Sequence, residues 1–463
     1  MVAPSDATAT AIALNRFGLG VRPDEPVPAD PKAWLLTQFE RYEARPPAWA
    51  GQADSASTAT AYADYQRALR QATAGSELTI RQGQQSLSQT QYRSAVNARV
   101  TSALGTPAPF AERLVHFWAN HFAVSSEKAP LAALAGAFEL EAIRPHVFGR
   151  FEDMLLAVER HPAMLFYLDQ ARSVGPGSGQ ARRAAKTGLQ RGLNENLARE
   201  ILELHTLGVR SGYSQDDVTE FARALTGWTV GGLVGLPPGG PPGGFSFQPF
   251  MHEPGSRKVL GRPYEQGGEA QATAVLRDLA SLPATANHIA GKLARHFVGD
   301  APPQALVDRL ADVYLRSRGD LPSVYRALID APEAWAPQQA KFKTPWEWTL
   351  STLRGLGTPM RELADRQFAP LLTQLGQPVW RPGSPAGYAD VAESWVAPDL
   401  LMRRVELAQR IAERAGSTLD ARALGPQLLP GGWSEATAKT VSRAESPATA
   451  LALLLVSPEF LRR

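Results

Sequence analysis

Helical periodicity recurs along nearly the whole of this 463-residue chain, and it constrains the fold more than any other feature. Apolar side chains return every three to four residues, the spacing of one helix face. At 31–43 Trp34, Leu35 and Phe39 share such a face. Residues 57–104 are Gln- and Ala-rich and nearly free of Gly and Pro, which predicts one or two long helices with a break near Gly75. Residues 107–122 begin with prolines suited to a first helical turn. Further helices are expected at 131–142, 149–160, 193–207, 215–227, 270–281, 284–298, 303–316, 321–331, 345–355, 361–374, 399–415 and 447–456. Strand signals are confined to 245–261, where Phe245–Phe247 and Lys258–Leu260 flank a Pro-Gly-Ser turn and read as one small hairpin. The expected class is mainly α: a large multi-helical domain with a small β-hairpin excursion. Residues 1–340 would form the main domain carrying the polar motifs, and 341–463 a C-terminal helical lobe packed on it.

Composition narrows the chemistry. The chain is 44% hydrophobic and 20% charged, as globular chains are. With 48 basic and 45 acidic residues the net charge is +3, too small to imply a nucleic acid partner. There is no cysteine, which excludes disulfides, thiolate nucleophiles and thiolate metal sites. No apolar run approaches the length of a membrane span. The opening VAPSDATATAIALNRFGLG has no basic segment before an apolar run, so no signal peptide is expected. AGKLAR at 290–295 lacks the upstream glycine of a phosphate loop, and GPGSGQ at 175–180 misses the spacing of a nucleophile elbow.

The densest polar stretch is RGLNENLAREILELHTLGV, 191–209. At about 100° per residue, Leu193, Leu197, Ile201 and Leu204 form the buried stripe. Glu195, Arg199 and Glu203 follow at i, i+4, i+8, a ladder suited to a solvent face. Glu200 and His205 fall on the two shoulders of the stripe, where a half-buried polar group needs a partner. Two Gly-rich loops, 173–192 and 230–244, flank this helix and are read as binding loops or surface excursions.

Histidines recur beside Arg, Asp, Glu or Pro. His116 and Asn120 are four apart, and His121 points elsewhere. His146 and His161 each abut a proline. His288, Lys292 and His296 share one helical face in NHIAGKLARHF. Imidazole with carboxylate is the usual ligand set for a divalent or transition metal where thiols are missing. Neither HExxH nor an ExxH pair is present, so that signal is weak. Trp118, Tyr167, Tyr213 and Trp228 could stack on a ring substrate or fill the core.

LNRFGLG (14–20), FWANHFAVS (117–125), IRPHVFGRFEDMLLAVERHPAMLFYLDQ (143–170), the 191–209 stretch, GYSQDDVTEFARALTGW (212–228) and KLARHFVGD (292–300) stand in this order. Together they resemble a large bacterial family catalogued as domain of unknown function 1800, from about residue 12 to the C-terminus. Gln170 stands where Asn is common, and Ile201 where Leu is common. The resemblance implies export to the periplasm or envelope and a sulfatase-like partner protein, and it brings no established activity.

Taken together, Glu200, Glu203, Glu195, Asp169, Tyr167 and Arg199 are the expected catalytic groups. Trp118, Asn120, Arg144, Asn194, Tyr213, Trp228 and Lys258 would bind substrate, and His121, His161 and His205 a metal. The expected function is a metal-assisted hydrolase or oxidoreductase. The alternatives are a metal-free glycan hydrolase with paired carboxylates, acting on a glycan or envelope component, and a non-catalytic envelope or assembly protein.

Overall fold

In the computed structural model of the chain, residues 6–73, 75–128, 130–186, 188, 192–233, 239–357, 368–415 and 418–463 are described. Among them stand 21 α-helices and four short strands. The mainly α class read from periodicity is what the structure has.

Local chemistry explains where the helices start. Asp30 accepts from the Ala33 amide at 3.0 Å ahead of Pro31–Arg41. Ser214 with Asp217, and Thr344 with Glu347, form capping boxes at the heads of Gln215–Leu225 and Pro345–Leu356. Each side chain satisfies an amide that the first helical turn would leave without a partner. The Gln- and Ala-rich stretch is two helices, Ser55–Gln71 and Glu77–Gly105. Gly75 lies between them at φ +97°, backbone that glycine adopts at least cost. The helix expected at 361–374 is described only as Phe368–Gln374; 361–367 lie outside the described residues.

The single hairpin expected at 245–261 is corrected to two. Phe245–Phe247 pairs antiparallel with Trp228–Val230, Trp228 opposite Phe247. Arg257–Val259 pairs with Arg262–Tyr264, so the Pro-Gly-Ser turn joins no hairpin. Strand periodicity marks a strand without naming its partner; here the partner lies across a Gly/Pro-rich loop.

The helix expected at 193–207 is also interrupted. Asn196–Glu200 is α-helical, and Ile201–His205 is a π turn. Two more π turns occur, at Ile12–Phe17 and Glu139–Ile143. A π turn holds more residues than an α turn, so it rotates the side chains that follow. His205, expected on a shoulder, is fully buried in consequence.

One hydrophobic core draws on the whole length of the chain, from Ile12 to Phe460. Phe17 packs 5.7 Å from Phe110, 5.5 Å from Phe297 and 5.3 Å from Trp335 between ring centroids. Arg16 donates to the Ala334 carbonyl at 2.7 Å, and Arg354 donates to the Gly20 carbonyl at 3.1 Å. Among the described residues no helix is long and apolar enough to cross a membrane.

Candidate functional site

A cavity of about 340 Å³ opens where four segments meet. They are helix Pro109–His121, helix Pro283–Phe297, the head of helix Pro345–Leu356, and the irregular segment 377–391. The first contributes Arg113, His116, Asn120 and His121; the second Lys292, Arg295 and His296. Trp346 and Glu347 come from the third, and Trp380, Tyr388 and Asp390 from the last. Spacing of four residues puts Lys292 and His296 one turn apart on one face. The other face of that helix buries Ile289, Leu293 and Phe297 in the core, which aims the polar face at the cavity.

Segment 377–391 has little regular structure, yet polar contacts hold it. Asn120 grips Tyr388 twice: its Nδ2 donates to the carbonyl at 2.9 Å, and its Oδ1 accepts from the amide at 2.8 Å. Lys341 Nζ donates to the Asp390 carbonyl at 2.7 Å and pairs with its Oδ1 at 2.9 Å.

His296 Nδ1 lies 2.7 Å from Asp390 Oδ2. A carboxylate only accepts, so Nδ1 carries the hydrogen, and the neutral ring keeps its lone pair on Nε2. That Nε2 is enclosed and has no hydrogen-bond partner among the described residues. Burial lowers the His296 pKa, with Asp390 opposing, and the ring is therefore neutral near pH 7. Burial alone would raise Asp390, but His296 and Lys341 hold it well below the usual carboxylate range.

Burial also lowers Lys292 to about 8, against the pull of Asp390. Its side chain is half-buried by exposure because it faces the cavity, while protein surrounds it on the other sides. Among the described residues it has no hydrogen-bond partner and no close ion pair. The neighbouring guanidinium groups are committed. Arg99 pairs with Glu139 at 2.8 Å. Arg113 pairs with Glu347, and its Nε donates to the Gly18 carbonyl at 2.7 Å. Arg463 also reaches Glu347, at 2.8 Å.

The sequence model of a family described as "Protein of unknown function (DUF1800)" matches residues 12–462. The chain belongs to the DUF1800 family. No curated protein and no solved structure matches it.

Of the residues singled out in the sequence of this DUF1800 protein, Asn120 and His121 line the cavity. His121 Nε2 donates to the His205 carbonyl at 3.2 Å. His205 itself is enclosed, its Nδ1 2.7 Å from Glu159 Oε1. His161 sits apart as a helix cap: Nδ1 accepts from the Ala163 amide at 3.1 Å, and Nε2 faces Ser55 and Glu141. The ligand set expected of His121, His161 and His205 is thus not assembled. Among the described residues no group of three or more His, Asp and Glu could hold a metal ion.

The Glu195–Arg199–Glu203 ladder lies half-exposed, with Arg199 3.3 Å from Glu195 and 3.8 Å from Glu203. Glu195 also accepts from Thr219 at 2.7 Å and Gln215 at 2.8 Å, and the Thr219 bond leads in lowering its pKa. Glu200 is half-buried, and burial raises its carboxyl. Burial, then Glu200, pushes nearby Tyr167 up to about 12. Tyr213 is raised to about 12 by burial and by Glu203. Asp169 is exposed, at φ +57°, 3.5 Å from Lys128. With Asn194 it borders a second, open hollow. Lys258 is exposed on its strand.

Trp118 and Trp228 are both 0% exposed, so neither offers a face to a ring substrate. Trp118 Nε1 donates to the Tyr325 hydroxyl at 2.7 Å. Arg144 is equally enclosed and makes a two-pronged pair with Glu112 at 2.7 and 2.8 Å. In the sequence Lys292 and His296 are marked only as members of one helical face. Asp390 and Arg113 carry no local signal, because their partners are distant in the chain; Glu347 is marked locally only as the capping-box partner of Thr344.

Proposed function

We propose that this DUF1800 protein is an enzyme whose acid–base chemistry runs in the cavity, on a substrate bearing negative charge. The observation that carries the reading is the His296–Asp390 pair beside the cavity that His296 helps to line, with the enclosed Nε2 unpartnered among the described residues. A buried polar atom without a hydrogen bond costs about 1–3 kcal/mol, so a small shift of the ring that brought Nε2 to a ligand would recover that loss. Neutral His296 would take a substrate proton at Nε2, and Asp390 would stabilise the imidazolium that forms. Lys292 places a positive charge where negative charge develops. Arg295 lines the cavity from an exposed position and adds to the attraction for an anion. The apolar walls Phe117, Val124 and Val379 exclude water and strengthen each of these interactions.

The metal-assisted hydrolase or oxidoreductase has less support, since its histidines are dispersed. The glycan hydrolase has less as well, because Glu347 and Asp390 in the cavity are already paired with cations. The assembly reading suits the Arg144–Glu112 pair, which joins helices without an opening. An envelope setting and a sulfatase-like partner remain proposals that rest on the family.

The test is turnover. The full chain is incubated with pools of small carboxylates, phosphate esters and acidic oligosaccharides, and consumption is followed by mass spectrometry. The expectation is one consumed substrate, with turnover lost in folded His296→Gln and Asp390→Asn variants. Turnover that survives both substitutions overturns the reading.

A further inference from the structure

Lys292 stands out among the cations lining the cavity. Arg99 and Arg113 are each held by a carboxylate. Arg295 donates through Nε to the Asp300 carbonyl at 3.4 Å, and among the described residues no hydrogen bond occupies its terminal nitrogens. Among the described residues, Lys292 alone of these four has no hydrogen bond or ion pair. An amine meant only as an electrostatic anchor is best left fully charged. Here the surroundings keep a sizeable neutral fraction, roughly a fifth at pH 7.4 for a pKa near 8. One turn further along the same face stands an imidazole whose enclosed Nε2 has no partner among the described residues. A nucleophile beside a base that a third group orients is the arrangement of covalent catalysis.

We infer that Lys292 is a nucleophile that forms an imine with a carbonyl substrate carrying a negative charge, the charge meeting Arg295. The inference deepens the acid–base reading and rests on it. The neutral amine attacks the carbonyl carbon; an N–C bond forms and the C–O bond breaks. The two amine protons end on the departing oxygen, which leaves as water; His296, one turn along the helix, would relay them. Amine plus carbonyl gives imine plus water, with no oxidant or reductant.

Reductive trapping tests it. The full chain is treated with glyoxylate, or with propanal as the uncharged control, in the presence of sodium cyanoborohydride. The sites are mapped by peptide mass spectrometry. The expected result is alkylation of Lys292 ahead of exposed Lys32, Lys186 and Lys439, at least tenfold faster with glyoxylate than with propanal. The rate should rise through an inflection near pH 8, and Lys292→Arg should abolish the fast phase. His296→Gln should slow labelling of Lys292 without affecting the exposed lysines. Labelling spread evenly over the exposed lysines, with Lys292 no faster, overturns the inference. The underlying reading is scored separately, by whether glyoxylate protects His296 from diethyl pyrocarbonate. Protection without trapping removes the imine and leaves the acid–base cavity; loss of both removes both.

Discussion

His296 and Asp390 are 94 residues apart in the chain, and their side chains meet at 2.7 Å. The contact ties helix Pro283–Phe297 to segment 377–391 and fixes which ring nitrogen keeps the lone pair. Asp390→Asn keeps an oxygen for Nδ1 but removes the charge that opposes burial. The His296 titration is therefore expected to move to lower pH, and that of Lys292 with it, since Asp390 also supports the ammonium. Imidazole resonances followed by NMR against pH check this. An unmoved titration would show that the pair does not govern the ring.

The enclosed histidines set the acid limit of stability. Burial holds His116, His121 and His296 below the ordinary 6.5. Between their folded values and 6.5 the unfolded chain binds more protons than the folded one. Stability from these groups is thus fully present above about 6.5 and is lost as pH falls below it. The melting temperature should fall steadily as pH drops from 6.5 toward 5. A flat profile over that interval would contradict the enclosure of these rings.

Lys343 is a buried amine, held by Ser351 Oγ at 3.1 Å and lowered to about 7 chiefly by burial. Unfolded, it titrates at 10.5, so its penalty is full below about 7 and vanishes as pH rises toward 10.5. Lys343→Met should raise stability at neutral pH by on the order of 1–4 kcal/mol, and the gain should shrink in alkali. Chemical denaturation at two pH values measures it. A variant less stable than the parent at pH 7 would sink the prediction.

Two ion pairs of the same chemical type should differ greatly in weight. Arg144 and Glu112 are both enclosed, whereas Glu195 and Arg199 are partly in water. Arg144→Met leaves a buried carboxylate unpaired and is expected to destabilise by about 3–5 kcal/mol. Glu195→Ala should change stability by at most about 1 kcal/mol. Urea denaturation of the two variants decides it; equal effects would mean that burial is not the governing variable.

Gly387 adopts φ +79° beside Asn120. A Cβ there would lie 2.8 Å from Asn120 Oδ1, the atom that accepts from the Tyr388 amide. Gly387→Ala is expected to loosen segment 377–391 and to cost about 1 kcal/mol or more through the left-handed backbone alone. The local signature is faster amide exchange at Tyr388 and Asp390, with the helices unchanged. Unaltered exchange would show that the close approach is not needed.

Helices were legible at 31–43, 107–122 and 215–227 because periodicity and capping act over a few neighbouring residues. The hairpins were half legible: Phe245–Phe247 reads as a strand, but its pairing with Trp228–Val230 depends on which edge lies near once the helices pack. Trp118 was read as a candidate platform and is core, since aromatic residues carry no label for side of burial. His205 was misplaced by a π turn that no residue announces. Within the cavity, Asn120 and His121 were reachable from the FWANHF motif. Asp390 was not, as nothing around it marks it as the partner of His296.

The residues alone thus determined a mainly helical class, membership in a family of shared motifs, and chemistry without thiols. These follow from composition and from energies that act within a turn or two of chain. Only the tertiary structure decided which polar groups lose their water together. Desolvating Lys292 and His296 beside Asp390 requires segments far apart in sequence to close on one hollow, and that closure is driven by the burial of the whole apolar core.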